Sequence, residues 1–311
     1  MSARILVGSC SWTDPSLISS GRFYPRGVGS AEARLRYYAE QFPIVEVDAT
    51  YYAPPSARNS RLWVERTPAG FVFDVKAFAL LTTHHATTER LPSELRGALP
   101  PELAAKRRLA PGELDASFLE RVWDLHRTAL APLAEAGKLG AVLFQFPPWF
   151  TVSDANRHYL RAIPARLPGL TAAVEFRGGG WMEPDAAAGT LKLLEDAGLA
   201  YVCVDEPQAG RTSTPPVVAA TAPLAYVRLH GRNAESWGIT RGPASERFKY
   251  LYSDEELEEW VPQVAELAAQ AATVHVLFNN NYEDWGMRNA RRMTQLLGVD
   301  AGPPQGELDL G

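Results

Sequence analysis

Eight short apolar segments, each finishing in polar residues, recur along the 311-residue chain and alternate with stretches of helical periodicity. They span residues 5–9, 44–48, 71–76, 140–145, 172–177, 200–205, 225–230 and 274–279 and are rich in β-branched and aromatic residues, as strands should be. Helical spacing is read over 30–42, 117–136, 153–163, 184–197, 254–271 and 286–297. Ser30 and Ser153 are candidate N-caps, Pro184 opens a helix that Gly198 stops, and Asp254-Glu255-Glu256 set carboxylates against a positive helix end. Strand–helix alternation requires a parallel sheet with right-handed crossovers, and eight such units predict a (β/α)₈ TIM barrel.

A doubly wound open sheet is the competing fold. It is disfavoured because Gly8-Ser9-Cys10-Ser11-Trp12 carries no dinucleotide fingerprint, and Gly178-Gly179-Gly180 lacks the spacing. The expected organisation is one barrel domain over 1–300 with an insertion at about 80–116 after the third strand. The sixth connection, 207–223, reads as irregular, and 301–311 as a disordered tail.

Hydrophobic residues at 46% and charged residues at 22% are the balance of a soluble globular chain and exclude a disordered or collagen-like one. No apolar run approaches the roughly 20 residues that span a bilayer. Met1-Ser2-Ala3-Arg4 leads straight into a strand pattern without the apolar core of a signal peptide. Two cysteines, Cys10 and Cys203, make no disulfide framework, so reduced thiols and a cytoplasmic location are expected. A net charge of −5 argues against non-specific coating of nucleic acid while leaving a local basic pocket open.

The strand ends carry the chemistry. With a side-chain period of two, Glu46, Asp48 and Thr50 share a face, as do Asp74 with Lys76, Glu175 with Arg177, and Arg228 with His230. Gln145, Asp205, Asn279, Asn280 and Asn281 complete the set. Charges on parallel strands are costly unless paired or near water, and the C-terminal strand ends are where TIM barrels hold their sites. An ion-pair network that only closes the barrel is the bland alternative. Lys76, Arg177, Arg228 and Arg232 suit a phosphate or carboxylate. Glu175 and His230 are candidate proton carriers, assisted by Asp205. Gln145 and the asparagines suit hydroxyls.

A metal site would draw on His230, Glu175, Asp205, Asp48 and His84-His85, but these have no compact ligand spacing and the interleaved cations oppose a divalent ion. No cofactor is therefore predicted. Trp12, Phe23-Tyr24, Tyr51-Tyr52, Trp149-Phe150, Trp181 and Trp237 form an expected aromatic rim, either a collar under loops or a stacking surface. The strip Arg241, Arg247 and Lys249 adds basic charge.

Taken in order, Gly8-Ser9-Cys10-Ser11-Trp12 with Phe23-Tyr24-Pro25, Val45-Glu46-Val47-Asp48-Ala49-Thr50-Tyr51-Tyr52, Phe73-Asp74-Val75-Lys76, Leu143-Phe144-Gln145-Phe146-Pro147-Pro148, Val174-Glu175-Phe176-Arg177 with Trp181, Val227-Arg228-Leu229-His230-Gly231-Arg232, and Phe278-Asn279-Asn280-Asn281 resemble the domain-of-unknown-function family 72, also called YecE-like. The resemblance covers about residues 5–298. It implies a TIM barrel with a pocket lined by those motif residues and no known reaction. Its barrel is likened to metal-dependent apurinic endonucleases and sugar isomerases, an analogy of fold alone. Asp48 stands where the family usually has Asn, Tyr51 where it has Phe, and Cys10-Ser11 where it often has Ser-Gly.

The expected function is an enzyme binding a small anionic, hydroxyl-bearing substrate, such as a phosphorylated sugar or nucleotide. In that reading Lys76, Arg177 and Arg228 hold the anion, and Glu175, His230, Asp205 and Lys76 do the catalysis. Asp48, Tyr51, Gln145, Asn279, Asn280, Trp12 and Trp181 line the substrate. Nucleic-acid binding or processing and a non-catalytic binding module are the alternatives.

Overall fold

Residues 3–210, 212–237 and 244–300 are described by the computed structural model. Eight parallel strands close into a TIM barrel: β1 (Arg4–Ser9), β2 (Ile44–Val47), β3 (Val72–Lys76), β4 (Leu139–Phe146), β5 (Ala172–Phe176), β6 (Ala200–Asp205), β7 (Leu224–Leu229) and β8 (Thr273–Phe278). Each strand pairs with its neighbours in chain order, and β1 closes the ring by pairing with both β8 and β2. Among the described residues, no helix is long and apolar enough to cross a membrane.

The surrounding helices start where side chains satisfy their free N–H groups. Ser30 accepts from Ala33 N–H at 3.0 Å, Ser153 from Asn156 N–H at 3.2 Å, and Ser253 forms a reciprocal box with Glu256. Three local expectations need correction. The helix Ala57–Glu65 follows β2 without a periodic signal, because its apolar residues Leu62, Trp63 and Val64 are consecutive. Pro184 lies in a turn, and the helix begins only at Ala187. The expected 254–271 helix is divided into Asp254–Glu258 and Trp260–Gln270. Pro262 explains the break, since it has no N–H for the carbonyl of Glu258.

No helix forms over the described part of 207–223. The 80–116 segment folds into short helices, Ser93–Gly97 and Pro101–Ala104, and an antiparallel ladder of Ala86–Thr87 with Arg108–Leu109. Leu91, Leu95, Leu99 and Leu109 anchor it to the main core. The tail expected over 301–311 lies outside the described residues.

The strands bury two distinct apolar layers on alternate residues. Val45, Val47, Phe73, Val75, Phe144, Phe146, Val174, Phe176, Val227 and Phe278 face the helices. Leu6, Cys10, Ile44, Val72, Leu143, Ala173, Val202, Val204, Tyr226 and Leu277 fill the barrel interior. Above and between the inner residues sits a charged plug. Arg228 on β7 reaches across the barrel to Glu46 on β2, donating from Nε at 2.9 Å and Nη2 at 2.7 Å. Its Nη1 donates to Glu175 on β5 at 2.5 Å. All three side chains are at most 1% exposed. Tyr226 adds its hydroxyl to Glu46 at 2.9 Å. His275 pairs with Asp74 at 2.8 Å.

Room for these groups comes from two glycines. A Cβ on Gly8 would lie 2.1 Å from the carbonyl oxygen of Ile44, and one on Gly140 would lie 2.4 Å from Asp74 Oδ1. Gly8→Ala is expected to lower stability by roughly 2–3 kcal/mol through overpacking. Gly189→Ala, with open space at an exposed helix position, should raise it by up to about 1 kcal/mol. Urea midpoints measure both, and a neutral Gly8→Ala would contradict the packing described. Arg228→Met leaves two buried carboxylates without their shared partner and should cost about 3–5 kcal/mol. A variant as stable as the parent in the same titration would show that the plug does not hold the barrel.

Candidate functional site

A cavity of about 800 Å³ opens at the C-terminal end of the barrel. Its floor is made by Lys76, Gln145 and Arg177, the side chains that finish β3, approach the end of β4 and follow β5. One wall is Tyr51 and Tyr52 from the turn after β2 together with His84, His85, Arg90 and Arg108 of the insertion. Trp149 joins that wall at His84, and Trp237, Arg247 and Phe248 add to the lining.

Among the described residues the lining holds five cations, Lys76, Arg90, Arg108, Arg177 and Arg247, and no Asp or Glu, in a chain whose net charge is −5. Among the described residues, Lys76, Arg90, Arg108 and Arg247 have no carboxylate within 4.0 Å. Lys76, Arg90 and Arg247 rest on rings instead. Lys76 Nζ sits 4.9 Å from the Tyr51 ring centre, Arg90 lies 5.4 Å over Tyr52, and Arg177 and Arg247 lie 4.9 and 5.0 Å over Trp237. Aromatic faces hold a cation without cancelling its charge.

Beneath the floor lies the carboxylate layer. Glu175 Oε1 accepts from Gln145 Nε2 at 2.5 Å and from Arg177 Nε at 2.8 Å. Gln145 thereby turns its Oε1 toward Lys76 Nζ, 2.8 Å away. Asn279 Nδ2 donates to His230 Nδ1 at 2.8 Å, which leaves the ring's Nε2–H for Glu175 at 3.2 Å. Arg177 Nη1 donates to Glu206 at 2.7 Å.

Burial alone would raise the Glu175 carboxyl, yet Arg228, Arg177 and His230 hold it well below the usual range. Burial, with Arg177 beside it, drives His230 well below its ordinary value, so the ring is neutral. Burial, reinforced by Arg228, lowers Lys76 to about 8 against the pull of Glu46, Glu175 and Asp48. Burial lifts Asp48 to about 7 despite Lys76, and Glu206 to about 7 despite Arg177. His84, desolvated and near Lys76, falls to about 3.

The wall of the insertion is fixed by a strained residue. Thr83, β-branched, adopts φ 61°, a left-handed conformation costly for such a side chain. Its carbonyl accepts from Trp149 Nε1 at 3.3 Å, and Trp149 in turn meets His84 edge-on at 5.5 Å.

Several expected site residues lie elsewhere. The inward positions on β6 are Val202 and Val204, so Asp205 points outward, where it accepts from Arg232 Nη2, Trp260 Nε1 and Tyr252 Oη at 2.7, 2.7 and 3.1 Å. Glu206, one residue on, takes the inward place, and the same period of two identifies it. Trp181 is fully buried and stacks on Phe176 at 4.9 Å. Trp12 packs edge-on against Trp63 at 6.0 Å. Asn280 bonds to Asn289 and the carbonyl of Tyr250. Arg228, Glu175, His230 and Asn279 underlie the cavity rather than line it.

Arg90, Arg108 and Phe248 were not anticipated, because an insertion and a loop without periodicity give no register to read. Arg241 lies outside the described residues. Among the described residues, no three His, Cys, Asp or Glu side chains converge as metal ligands.

The chain is similar along nearly its whole length to known proteins. The UPF0759 protein YunF of Bacillus subtilis (strain 168) is 34% identical over 311 residues, covering 98% of this chain and 99% of that one. The crystal structure of a DUF72 family protein from Enterococcus faecalis V583 superposes with a TM-score of 0.74 at 26% identity over 97% of this chain and all of that one. One from Thermotoga maritima MSB8 gives 0.73 at 28% identity over 95% of this chain and 99% of that one. The family described as "Protein of unknown function DUF72" matches residues 6–308, and the chain belongs to it.

Proposed function

We propose that the chain is an enzyme that binds a small anionic, hydroxyl-bearing substrate, a phosphorylated sugar or nucleotide-like molecule, at the C-terminal rim. General acid/base chemistry acts at the cavity floor. The observation that carries this reading is the lining of five cations and no carboxylate. A phosphate or carboxylate there would face guanidinium and ammonium donors that aromatic rings support but leave charged. The faces of Tyr51, Trp149 and Trp237 offer platforms for a sugar ring or a base.

Proton transfer falls to Lys76, which touches the cavity and whose pKa of about 8 suits work near neutrality. Glu175 and His230 position the floor instead, with Glu175 ionised and saturated by donors. Gln145 and Arg177 fix the substrate. Single-stranded nucleic acid is the second reading. Tyr52 and Trp149 favour it, being 49% and 59% exposed at the mouth.

Calorimetry with glucose 6-phosphate, glucose, AMP and adenosine tests the assignment. The phosphorylated member of each pair should bind and its parent should not. Lys76→Met should weaken phosphate binding about 10- to 100-fold, the range set by losing one charged hydrogen bond. Lys76 is charged below its pKa and loses its proton above it, so affinity should fall as pH rises through about 8. Equal binding of phosphorylated and unphosphorylated partners would contradict the reading. A short oligonucleotide binding far more tightly than AMP, with a steep salt dependence, would move the conclusion to nucleic acid.

A further inference from the structure

We propose that Lys76 is a nucleophile: its amine condenses with an aldehyde or ketone of the anionic substrate to form a Schiff base at the cavity floor. This rests on the anion-binding reading of the same cavity and narrows the substrate to a phosphorylated carbonyl compound, such as the open-chain form of a sugar phosphate.

The chain has five lysines, Lys76, Lys106, Lys138, Lys192 and Lys249. Four are committed elsewhere. Lys106 pairs with Glu113 and Lys192 with Asp196, both at the surface. Lys249 lies 4.4 Å over the Tyr282 ring. Lys138 is 7% exposed and gives all three of its donors to Val64 O, Thr67 O and Thr67 Oγ1 at 2.8, 2.7 and 3.0 Å. Lys76 opens into the rim cavity, and among the described residues it has one hydrogen-bond partner, the neutral Oε1 of Gln145. A neutral acceptor orients Nζ without locking in its charge as a carboxylate would. Glu175 fixes that acceptor from below.

The charged groups around Lys76 come from every side: Arg228 on β7, Glu46 on β2 and Asp48 beyond it, Glu175 on β5, Arg177 after it, and His84 from the insertion. Burial and Arg228 prevail over the carboxylates, so a substantial neutral fraction exists near pH 8. The cations Arg177, Arg90 and Arg108 remain to hold the substrate's phosphate while the amine reacts.

The step balances. The lone pair of the neutral amine attacks the carbonyl carbon, and the C=O π pair moves to oxygen. Nitrogen then gives up two protons in all to that oxygen, which leaves as water as the C=N bond forms. One further proton on nitrogen gives the iminium, an electron sink for cleaving a bond to the adjacent carbon. No oxidant or reductant is consumed.

Pyridoxal 5′-phosphate and pyridoxal make a matched test, the same ring and aldehyde with and without phosphate. Each is incubated with the full chain, reduced with borohydride, and the modified lysines are located by peptide mass spectrometry. Lys76 should be labelled at least tenfold faster than Lys106, Lys192 or Lys249, with a rate that rises through pH 8 and slows under inorganic phosphate. Pyridoxal 5′-phosphate should label it at lower concentration than pyridoxal. Lys76→Arg should abolish this label while Lys106, Lys192 and Lys249 are still labelled. Labelling spread over the surface lysines with Lys76 no faster, in a protein that still binds phosphate, would overturn the nucleophile and leave the anion site standing. Fast labelling of Lys76 by both aldehydes alike would uphold the amine's role and remove the anion reading.

Discussion

The guanidinium of Arg228, clamped between Glu46 and Glu175 inside the barrel, is the contact on which the rest of the site depends. Three ionised groups at most 1% exposed are tolerable only because each meets an opposite charge through short hydrogen bonds. Together with burial, the clamp acts on the groups directly above it. With Glu175 held as a carboxylate, Gln145 must present its amide N–H₂ downward and its carbonyl to Lys76. With Arg228 close by and unable to lose its proton, Lys76 feels a neighbouring positive charge and gives up its own more readily. The carboxylates are consumed at and below the floor, and among the described residues Lys76, Arg90, Arg108 and Arg247 are left without one within 4.0 Å.

That separation has a steric basis. Gly8 and Gly140 let the backbone and the Asp74–His275 pair approach where any side chain would collide. The interior therefore accommodates a charged layer as well as the apolar one formed by Leu6, Ile44, Val72 and their neighbours. The insertion supplies what the strands cannot. Its arginines sit at the exposed mouth, and the strained turn at Thr83 ties His84 and Trp149 together as a wall.

The barrel was legible in the sequence because each strand joins an apolar run to a polar end, and because helix caps such as Ser30 and Ser153 carry their own chemistry. The floor residues Lys76, Gln145 and Arg177 were legible for the same reason. Asp205 was misread where a count of two from Val202 and Val204 places it outside and Glu206 inside. Trp12 and Trp181 were misread because an aromatic near a strand end serves the outer helix layer as readily as the rim. Arg90 and Arg108 depend on how an aperiodic insertion folds back, which no local pattern encodes. The division of labour between a buried network and an exposed floor is likewise a matter of depth, and residue identity along a chain does not give depth.

The central claim is that the unneutralised cations of the rim cavity form an anion site. A crystal structure of the protein soaked in selenate measures it most directly. An anomalous selenium peak is expected inside that cavity, within hydrogen-bond distance of Lys76 Nζ. Selenate found only on the outer surface, with that cavity free of it at saturating concentration, would contradict the account.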